Sequence, residues 1–589
     1  MPLRTLPEAL AHAAGADAGY CFVASDGDRL RSYAELQATS LRVAAALLSA
    51  GLRRGDLVGL VLPDAEQFLT TLFGASIAGL IPASIHPPSA TSDLPRYFEL
   101  TASILRASGA RAVVTNRALL PSFEDARGDC PDLSLILCAD SLDGASGRVR
   151  LQSPFGLARG GPEALEGPDP GALEPHRRPS LDDIAFVQFT SGSSSAPKGV
   201  ALTHANVSAN IDAFLGPSAV AASASDVGVS WLPLNHDMGL VGMALGALYT
   251  GRTCVLLPPE TFVRRPVEWL RAITRYRATV SFAPNFAYDL CVRRVKDLAG
   301  LDLSTWRVAG CGAEPVHPPT LAAFAEKFAP VGFRDTSLLP CYGLAEHVLA
   351  ATFPPRGRRP RVERVSADDL TGRRVAVAHN DGGGGSIALV SCGSALPGHR
   401  LQIVDEGGRV CAERQVGEIV LAGPSVMLGY YKQDALTAQT IRDGWLHTGD
   451  LGYLAGGELF VCGRAKDIII VNGRKFHPQD LEWAVDTLAG VRRGRVVAFG
   501  ATADGRADRI VIVAEPSGTV PVEQLTEAIR REIGALFGLY VDDIAIVRSG
   551  TVGRTTSGKV QRAATKARYE RGELAADRPR AETTAEAES

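Results

Sequence analysis

The stretch LVGLVLPDAEQFLTTLFGASIAGLIPASI, residues 57–85, constrains the fold more than any other. Leu57 to Leu62 is an apolar run of strand length. Asp64 with Gln67 resembles a helix-start pair, in which the first side chain accepts from the backbone three residues on. Phe68, Leu69, Leu72 and Phe73 then fall on one helical face, Gly79 suits a helix end, and a second apolar run follows. This is a strand–helix–strand unit, and parallel strands need such a crossover. Its repetition along most of the chain predicts an α/β protein of parallel sheets covered by helices. With 589 residues the chain is too long for one core, so two or more domains are expected.

The stretch from Asp140 to Pro179 is rich in Gly, Pro and Ser and reads as a long surface connection. Directly after it, IAFVQFT reads as a buried strand delivering the loop FTSGSSSAPKGV, Phe189 to Val200. The pattern changes near GRAKDIIIVNGRKFHPQDLE, Gly463 to Glu482. Beyond it Val522, Leu525, Ile529, Ile533 and Leu536 form one helical stripe with Pro521 suited to the first turn. DIAIV follows as a strand, and GRTTSGKVQR as a loop. The expected division is a large N-terminal domain over 1–465, a small mobile α+β domain over 466–571 and a disordered tail over 572–589.

Composition excludes several classes. A hydrophobic fraction of 46% and a charged fraction of 21% are ordinary for a globular protein. A net charge of −3 lacks the basic footprint of a nucleic-acid binder. Ten scattered cysteines with no C-x-x-C pair read as buried free thiols in a reducing compartment. Neither a signal peptide nor a membrane span is legible, so a cytoplasmic location is expected.

In the loop at 189–200, Gly192 is followed by Pro197-Lys198-Gly199 at the spacing of a Walker loop, but the glycine before the lysine and the hydroxyl after it are missing. Thr190, Ser191, Ser193, Ser194 and Ser195 supply hydroxyls, Gly192 lets backbone N–H groups approach an anion, and Lys198 adds a mobile charge. Alone, this is a Ser-rich linker. It is accompanied by LLPCYGLAEH with Tyr342, Gly343 and Glu346, by WLHTGDLG with Asp450 in a turn, and by TTSGKVQR with Lys559.

In that order, over nearly the whole chain, these motifs resemble the adenylate-forming superfamily of acyl-CoA synthetases, luciferases and peptide-synthetase adenylation domains. The one departure in the phosphate loop is Ser195, where many members have glycine. The resemblance implies attack of a carboxylate on the α-phosphate of ATP, giving an acyl adenylate and pyrophosphate. It implies Lys559 as the leading catalytic residue, at the α-phosphate and substrate carboxylate, and Glu346 as the holder of Mg²⁺. Thr190, Ser191, Gly192, Ser193 and Lys198 would grip phosphates. Asp450 and Arg464 would bind the ribose hydroxyls. Tyr342-Gly343 and Gly312-Ala313-Glu314 would flank adenine, and Asp467 would be the hinge of the small domain.

His236, in SWLPLNHDMGL, aligns with a histidine shaping the acyl pocket of carboxylate-activating relatives. Asp237 beside it leaves an amine-bearing acid as the competing substrate, although the register favours His236 and a fatty acid. PNFAYDLC, HPQDLE and WLPLNHDMGL resemble fatty acyl-AMP ligases in particular. Gly393 lies 47 positions after Glu346, a longer interval than in typical acyl-CoA synthetases. The excess, about residues 354–386, matches the insertion that marks fatty acyl-AMP ligases and reads as short strands, a turn and a glycine tract. The acceptor this implies is the phosphopantetheine thiol of an acyl carrier protein or synthase carrier domain in trans. Alternatives are a long-chain acyl-CoA synthetase and, more distantly, a catalytically inactive nucleotide-binding regulator.

Overall fold

The computed structural model describes residues 2–24, 26–88, 94–142, 178–190, 198–379, 385–471, 474–501, 509–518, 520–554 and 560–574. The opening unit folds as its sequence dictates. Leu57–Val61 and Ile81–Ser84 are parallel neighbours, and Asp64 accepts from the Gln67 N–H at 2.8 Å to start the helix Ala65–Ile77. Phe68, Leu69, Leu72 and Phe73 are all buried.

Two seven-stranded sheets build the large domain. One runs in the order Gly429–Tyr430, Lys198–Thr203, Ile184–Thr190, Ile81–Ser84, Leu57–Val61, Ala112–Thr115, Leu135–Cys138. The other runs Leu338–Pro340, Val308–Cys311, Val280–Ala283, Val227–Ser230, Thr253–Leu256, Gly19–Phe22, Arg29–Ser32. Its pairs are parallel except the last. One large core joins the helices between these sheets, and buried Trp231, Trp269 and Trp306 lie within it. An antiparallel sheet follows, in which Trp445–Ala455 pairs with Gly417–Ala422 and Glu458–Arg464.

Beyond Arg464 the apolar residues close on one another. Ile469, Leu481, Val496, Ile512 and Ile529 form a separate core under the strands Val491–Ala501, Arg509–Pro516 and Asp543–Ile546 and the helices Pro478–Asp486 and Val522–Phe537. Leu525, Ile529 and Ile533 are the buried part of the expected stripe, while Leu536 is half-exposed. Gly572 to Leu574, the start of the expected tail, are among the described residues, and Leu574 is buried against a core that includes Val497, Val513 and Val547. The remaining tail lies outside the described residues, as does most of the expected connection at 140–179.

Two corrections, at Asp450 and at the cysteines, and one strand that the sequence did not announce concern local structure. Asp450 sits in the long strand Trp445–Ala455 and not in a turn. Gly449 at φ +69° and a bulge at Leu451/Gly452 give the GD pair its turn-like sequence inside a strand. Tyr342-Gly343 is likewise a short strand, paired with Ala350–Phe353. Seven of the ten cysteines are buried, whereas Cys138, Cys341 and Cys411 are half-buried; all ten are free.

Two strands that lead to the site are locked at their starts. Asp226, just before Val227–Ser230, accepts from the Thr279 hydroxyl at 2.7 Å and the Ser223 N–H at 2.7 Å, and pairs with Arg307, which precedes Val308–Cys311. Burial opposes its charge, but the hydrogen bonds from Arg307, Ser223 and Thr279 hold the carboxyl below its usual range. A depressed carboxyl stabilises the fold above its unfolded pKa and loses that contribution as pH falls through the folded value. Asp226→Asn is therefore expected to cost about 3 kcal/mol at pH 7, the scale for breaking a buried pair. In urea titrations the gap to wild type should close below about pH 4; a gap independent of pH would assign the effect to packing alone.

Candidate active site

Parallel strands deliver their C-terminal ends to one side of a sheet, which is where ligands bind in open α/β folds. Four such ends meet here. Val227–Ser230 leads to Trp231 and His236, Val280–Ala283 to Phe286, Val308–Cys311 to Gly312-Ala313-Glu314, and Leu338–Pro340 to Tyr342. The Cys341 N–H donates to the Cys311 carbonyl at 2.8 Å, so the two site loops leave their strands side by side. A Cβ on Gly312 would lie 2.8 Å from the Cys341 carbonyl oxygen, and one on Gly343 only 1.7 Å from that of Leu349. Neither position admits a side chain in this backbone.

Asp450 is the centre of the polar cluster. Its Oδ2 accepts from the Tyr342 hydroxyl at 2.8 Å, and its Oδ1 meets Arg464 Nε at 2.9 Å. The strand pair Asp450↔Arg464 sets this contact directly. Burial, followed by the charge of Asp450, raises the Tyr342 phenol far above its usual value, so it stays a neutral donor. Arg464 is raised chiefly by Asp450. Each oxygen of a carboxylate accepts more than once, so these two bonds still leave acceptor capacity for a diol.

Glu346 lies in a helical turn, Ala345–His347, and its Oε1 accepts from the Tyr430 hydroxyl at 2.8 Å. The Met427 N–H donates to its carbonyl at 2.9 Å, tying the motif to the segment before Gly429–Tyr430. Lys198 Nζ stands 5.4 Å from the Tyr430 ring centre, and the same two-residue strand pairs with the start of Lys198–Thr203. Lys466 is lowered, first by burial and then by Arg464, with Lys198 adding to the repulsion. Lys198, Glu346, Asp450, Arg464 and Lys466 are thus brought together from four separate segments, Arg464 and Lys466 sharing one, with the cationic side suited to an anionic ligand.

His236 comes from a different loop, the one that follows Val227–Ser230. Its Nδ1 is 2.5 Å from Asp237 Oδ1, and the preceding Asn235 pairs with His86 at 3.0 Å and takes Gln188 Nε2 on its carbonyl at 3.5 Å. Gln188 belongs to the strand that leads into the serine-rich loop, so His236 lies between the two sheets. Burial lowers the His86 imidazole, which keeps it neutral. Glu314 Oε1 accepts from the Phe286 N–H at 2.6 Å, in the first turn of the helix Asn285–Arg294. Ala313 beside it adopts φ +66°, a strained value outside glycine. Asp467 ends a helical turn, Ala465–Asp467, and pairs with Arg562. Ser191, Gly192, Ser193 and Lys559 lie outside the described residues, as does the side chain of Thr190.

Tyr430 and Lys466 were missed by motif reading. Lys466 stands inside GRAKD and could have been found there as a cation two residues from Arg464. Tyr430, 84 residues from its partner Glu346, gave no local signal.

The sequence matches the AMP-binding enzyme family over residues 10–431. This chain belongs to that family. It is 35% identical over 572 residues to a protein of Caulobacter vibrioides named as an acyl-CoA synthetase, covering 96% of this chain and 95% of the relative. It is 32% identical to the medium-chain-fatty-acid–[acyl-carrier-protein] ligase TtuA of Teredinibacter turnerae, covering 93% and 90%. A solved structure from work on fatty acyl-adenylate ligases of E. coli and L. pneumophila superposes with a TM-score of 0.87 at 35% identity, covering 98% and 99%. The fold is that of an adenylate-forming enzyme.

Asp450→Asn keeps the shape of the cluster but removes the charge that orients Arg464. It should weaken ATP binding about tenfold or more, the scale of a charged hydrogen bond at 1.5–3 kcal/mol. The fatty-acid KM should not move. Calorimetric ATP titration checks this, and unchanged affinity would reduce the HTGDLG segment to a structural strand.

Proposed function

We propose that this enzyme activates a fatty acid as its acyl adenylate and passes the acyl group to the phosphopantetheine thiol of a carrier protein. In the first step a carboxylate oxygen bonds to the α-phosphorus of ATP and the bond to the β-phosphate breaks, releasing pyrophosphate. In the second the thiol sulfur bonds to the acyl carbon, the bond to AMP breaks, and the thiol proton passes to solvent. Two anions must meet in the first step, so catalysis is a matter of cations and fixed geometry. Lys198 and Lys466 supply positive charge at the phosphates, Asp450 takes the ribose hydroxyls, and Lys559 reaches the attacked phosphate. His236, between the sheets, faces the acid.

Glu346 is the residue that would hold Mg²⁺. One carboxylate with substrate phosphates is the usual donor set for this ion, and Tyr430 orients that carboxylate through a single oxygen. Among the described residues no group of three or more His, Cys, Asp or Glu competes as a metal cage. Bound there, the ion would neutralise phosphate charge. No described helix is long and apolar enough to cross a membrane, which suits a substrate taken from water or a carrier.

The observation that carries the choice of acceptor is the packing of the insertion. Val362–Ser366 and Ser386–Val390 form an antiparallel pair. Val365, Leu370, Ala376, Ile387 and Leu389 are buried against Tyr453, Phe460 and Cys462, on the strands that carry Asp450 and Arg464. On its other side Asp368 Oδ1 takes Arg474 Nη2 at 2.6 Å, and Thr371 Oγ1 takes the same nitrogen at 3.3 Å. Arg474 belongs to the small domain's first hairpin. The insertion is therefore wedged between the nucleotide-binding strands and the domain that must turn. The carrier-protein ligases TtuA and JamA and the long-chain-fatty-acid–AMP ligase FadD26 of Mycobacterium marinum are relatives at 31–33% identity. The Caulobacter relative favours the second reading, an acyl-CoA synthetase.

Product analysis decides between them. With fatty acid, ATP and CoA the intact enzyme should accumulate acyl adenylate and little acyl-CoA, while a variant shortened between Pro354 and Ser386 should form acyl-CoA with adenylation retained. Acyl-CoA formed by wild type as fast as pyrophosphate would establish the synthetase instead. Lys559→Ala should cut pyrophosphate release about 10²–10³-fold, the scale for one electrostatic stabiliser, with ATP binding kept. Near-normal release from the folded variant would remove Lys559 from the mechanism.

A further inference from the structure

The motif TTSGKVQR holds a second functional residue, three positions beyond Lys559. Arg562 opens the helix Arg562–Glu570, and its side chain is 20% exposed. Its Nη1 donates to Asp467 Oδ2 at 2.8 Å. Its Nε and Nη2 grip Glu482, at 3.0, 2.9 and 2.8 Å. Glu482 is fixed in turn by the Ala498 N–H, which donates to Oε1 at 3.0 Å. One guanidinium therefore joins the hinge residue, the helix Pro478–Asp486 and the end of the lysine-bearing loop. Beside it the Gln561 N–H donates to the Gly553 carbonyl at 3.0 Å.

The stereochemistry of a hinge gives this contact a direction. Rotation about the N–Cα bond of Asp467 carries its carboxylate with the small domain, and the pair with Arg562 survives. Rotation about the Cα–C bond leaves the carboxylate behind while Arg562 and Glu482 swing away, and the pair breaks. We propose that Arg562 is a positioning residue, a latch that resists the second rotation and so sets the balance between the domain arrangements used for adenylation and for acyl transfer. This rests on the two-step reading of the site. A planar, five-donor guanidinium is needed, because a lysine ammonium does not span both carboxylates in a fixed plane.

The test uses the full-length enzyme as wild type, Arg562→Gln, Asp467→Asn and the double variant. The two half-reactions are measured separately, as fatty-acid-dependent ATP–pyrophosphate exchange and as single-turnover transfer from preformed acyl adenylate to a phosphopantetheinylated acyl carrier protein. Each single variant should change the ratio of the two rates about tenfold, in the same direction, and the double variant should add nothing further. Equal losses in both half-reactions, or effects that multiply in the double variant, would overturn the latch. Asp467→Asn leaves the grip on Glu482 intact, so it carries the same test if Arg562→Gln does not fold. Tryptic cleavage after Lys466 separates this from the functional reading. Were wild type to form no acyl adenylate, the two-step reading would fall. The latch would then stand if cleavage is faster in the variants, and fall if it is not.

Discussion

The site is organised around one buried carboxylate. Asp450 is removed from most of its water, and a lone charge in that position would be expelled or protonated. Two donors prevent this, the Tyr342 hydroxyl and the Arg464 guanidinium, and each comes from a different strand. The consequence is mutual: the carboxylate holds the Tyr342 hydroxyl on one oxygen and the Arg464 guanidinium on the other, three residues before Asp467. Removing the charge would leave Arg464 beside Lys466 and Lys198 with Glu346 and Asp467 as the anions left near it. The cluster is thus complete only with Asp450 ionised, and its cationic side is suited to a polyphosphate.

Distance from that centre explains the division of labour among the other residues. Glu346 and Tyr430 belong to the same electrostatic neighbourhood, because burial and Glu346 together push the Tyr430 phenol well up and keep it a donor. His236 pairs with Asp237, and the preceding Asn235 takes Gln188 of the strand that leads into the serine-rich loop. On the proposed reading, nucleotide and acid are approached from different elements, so ATP affinity and acid preference should be separable. The Asp226–Arg307 pair supports both from the far end of the same strands.

Much of this was legible in the sequence wherever the cause is local. The helix at Ala65–Ile77 follows from Asp64, Gln67 and four apolar residues on one face, all within a few positions. Lys198, Glu346 and Asp450 stood in quotable motifs. The turn expected at Asp450 did not survive, because a glycine at positive φ serves a bulged strand as well as a turn, and only the partner strand Glu458–Arg464 decides between them. Tyr430 as the partner of Glu346, and Glu482 as the partner of Arg562, come from pairs 84 and 80 residues apart. Nothing local marks such a pair, since the spacing is set by the path of the chain through two domains.

The boundary between those domains carries the least ordinary chemistry of the molecule. Gln479 Nε2 donates to the Cys462 carbonyl across it, and Asp480, buried beside it, is pushed up to about 8 by desolvation and the nearby Glu482. His477 at the same surface is lowered to about 4 by burial. Burial thus opposes the charged form of both side chains at this boundary. The contacts named across this boundary, Gln479 on the Cys462 carbonyl and Arg474 on Asp368, are polar. In the proposed two-step reaction the Asp368–Arg474 pair, between the insertion and the small domain, is one of the contacts that a turn of that domain would have to break.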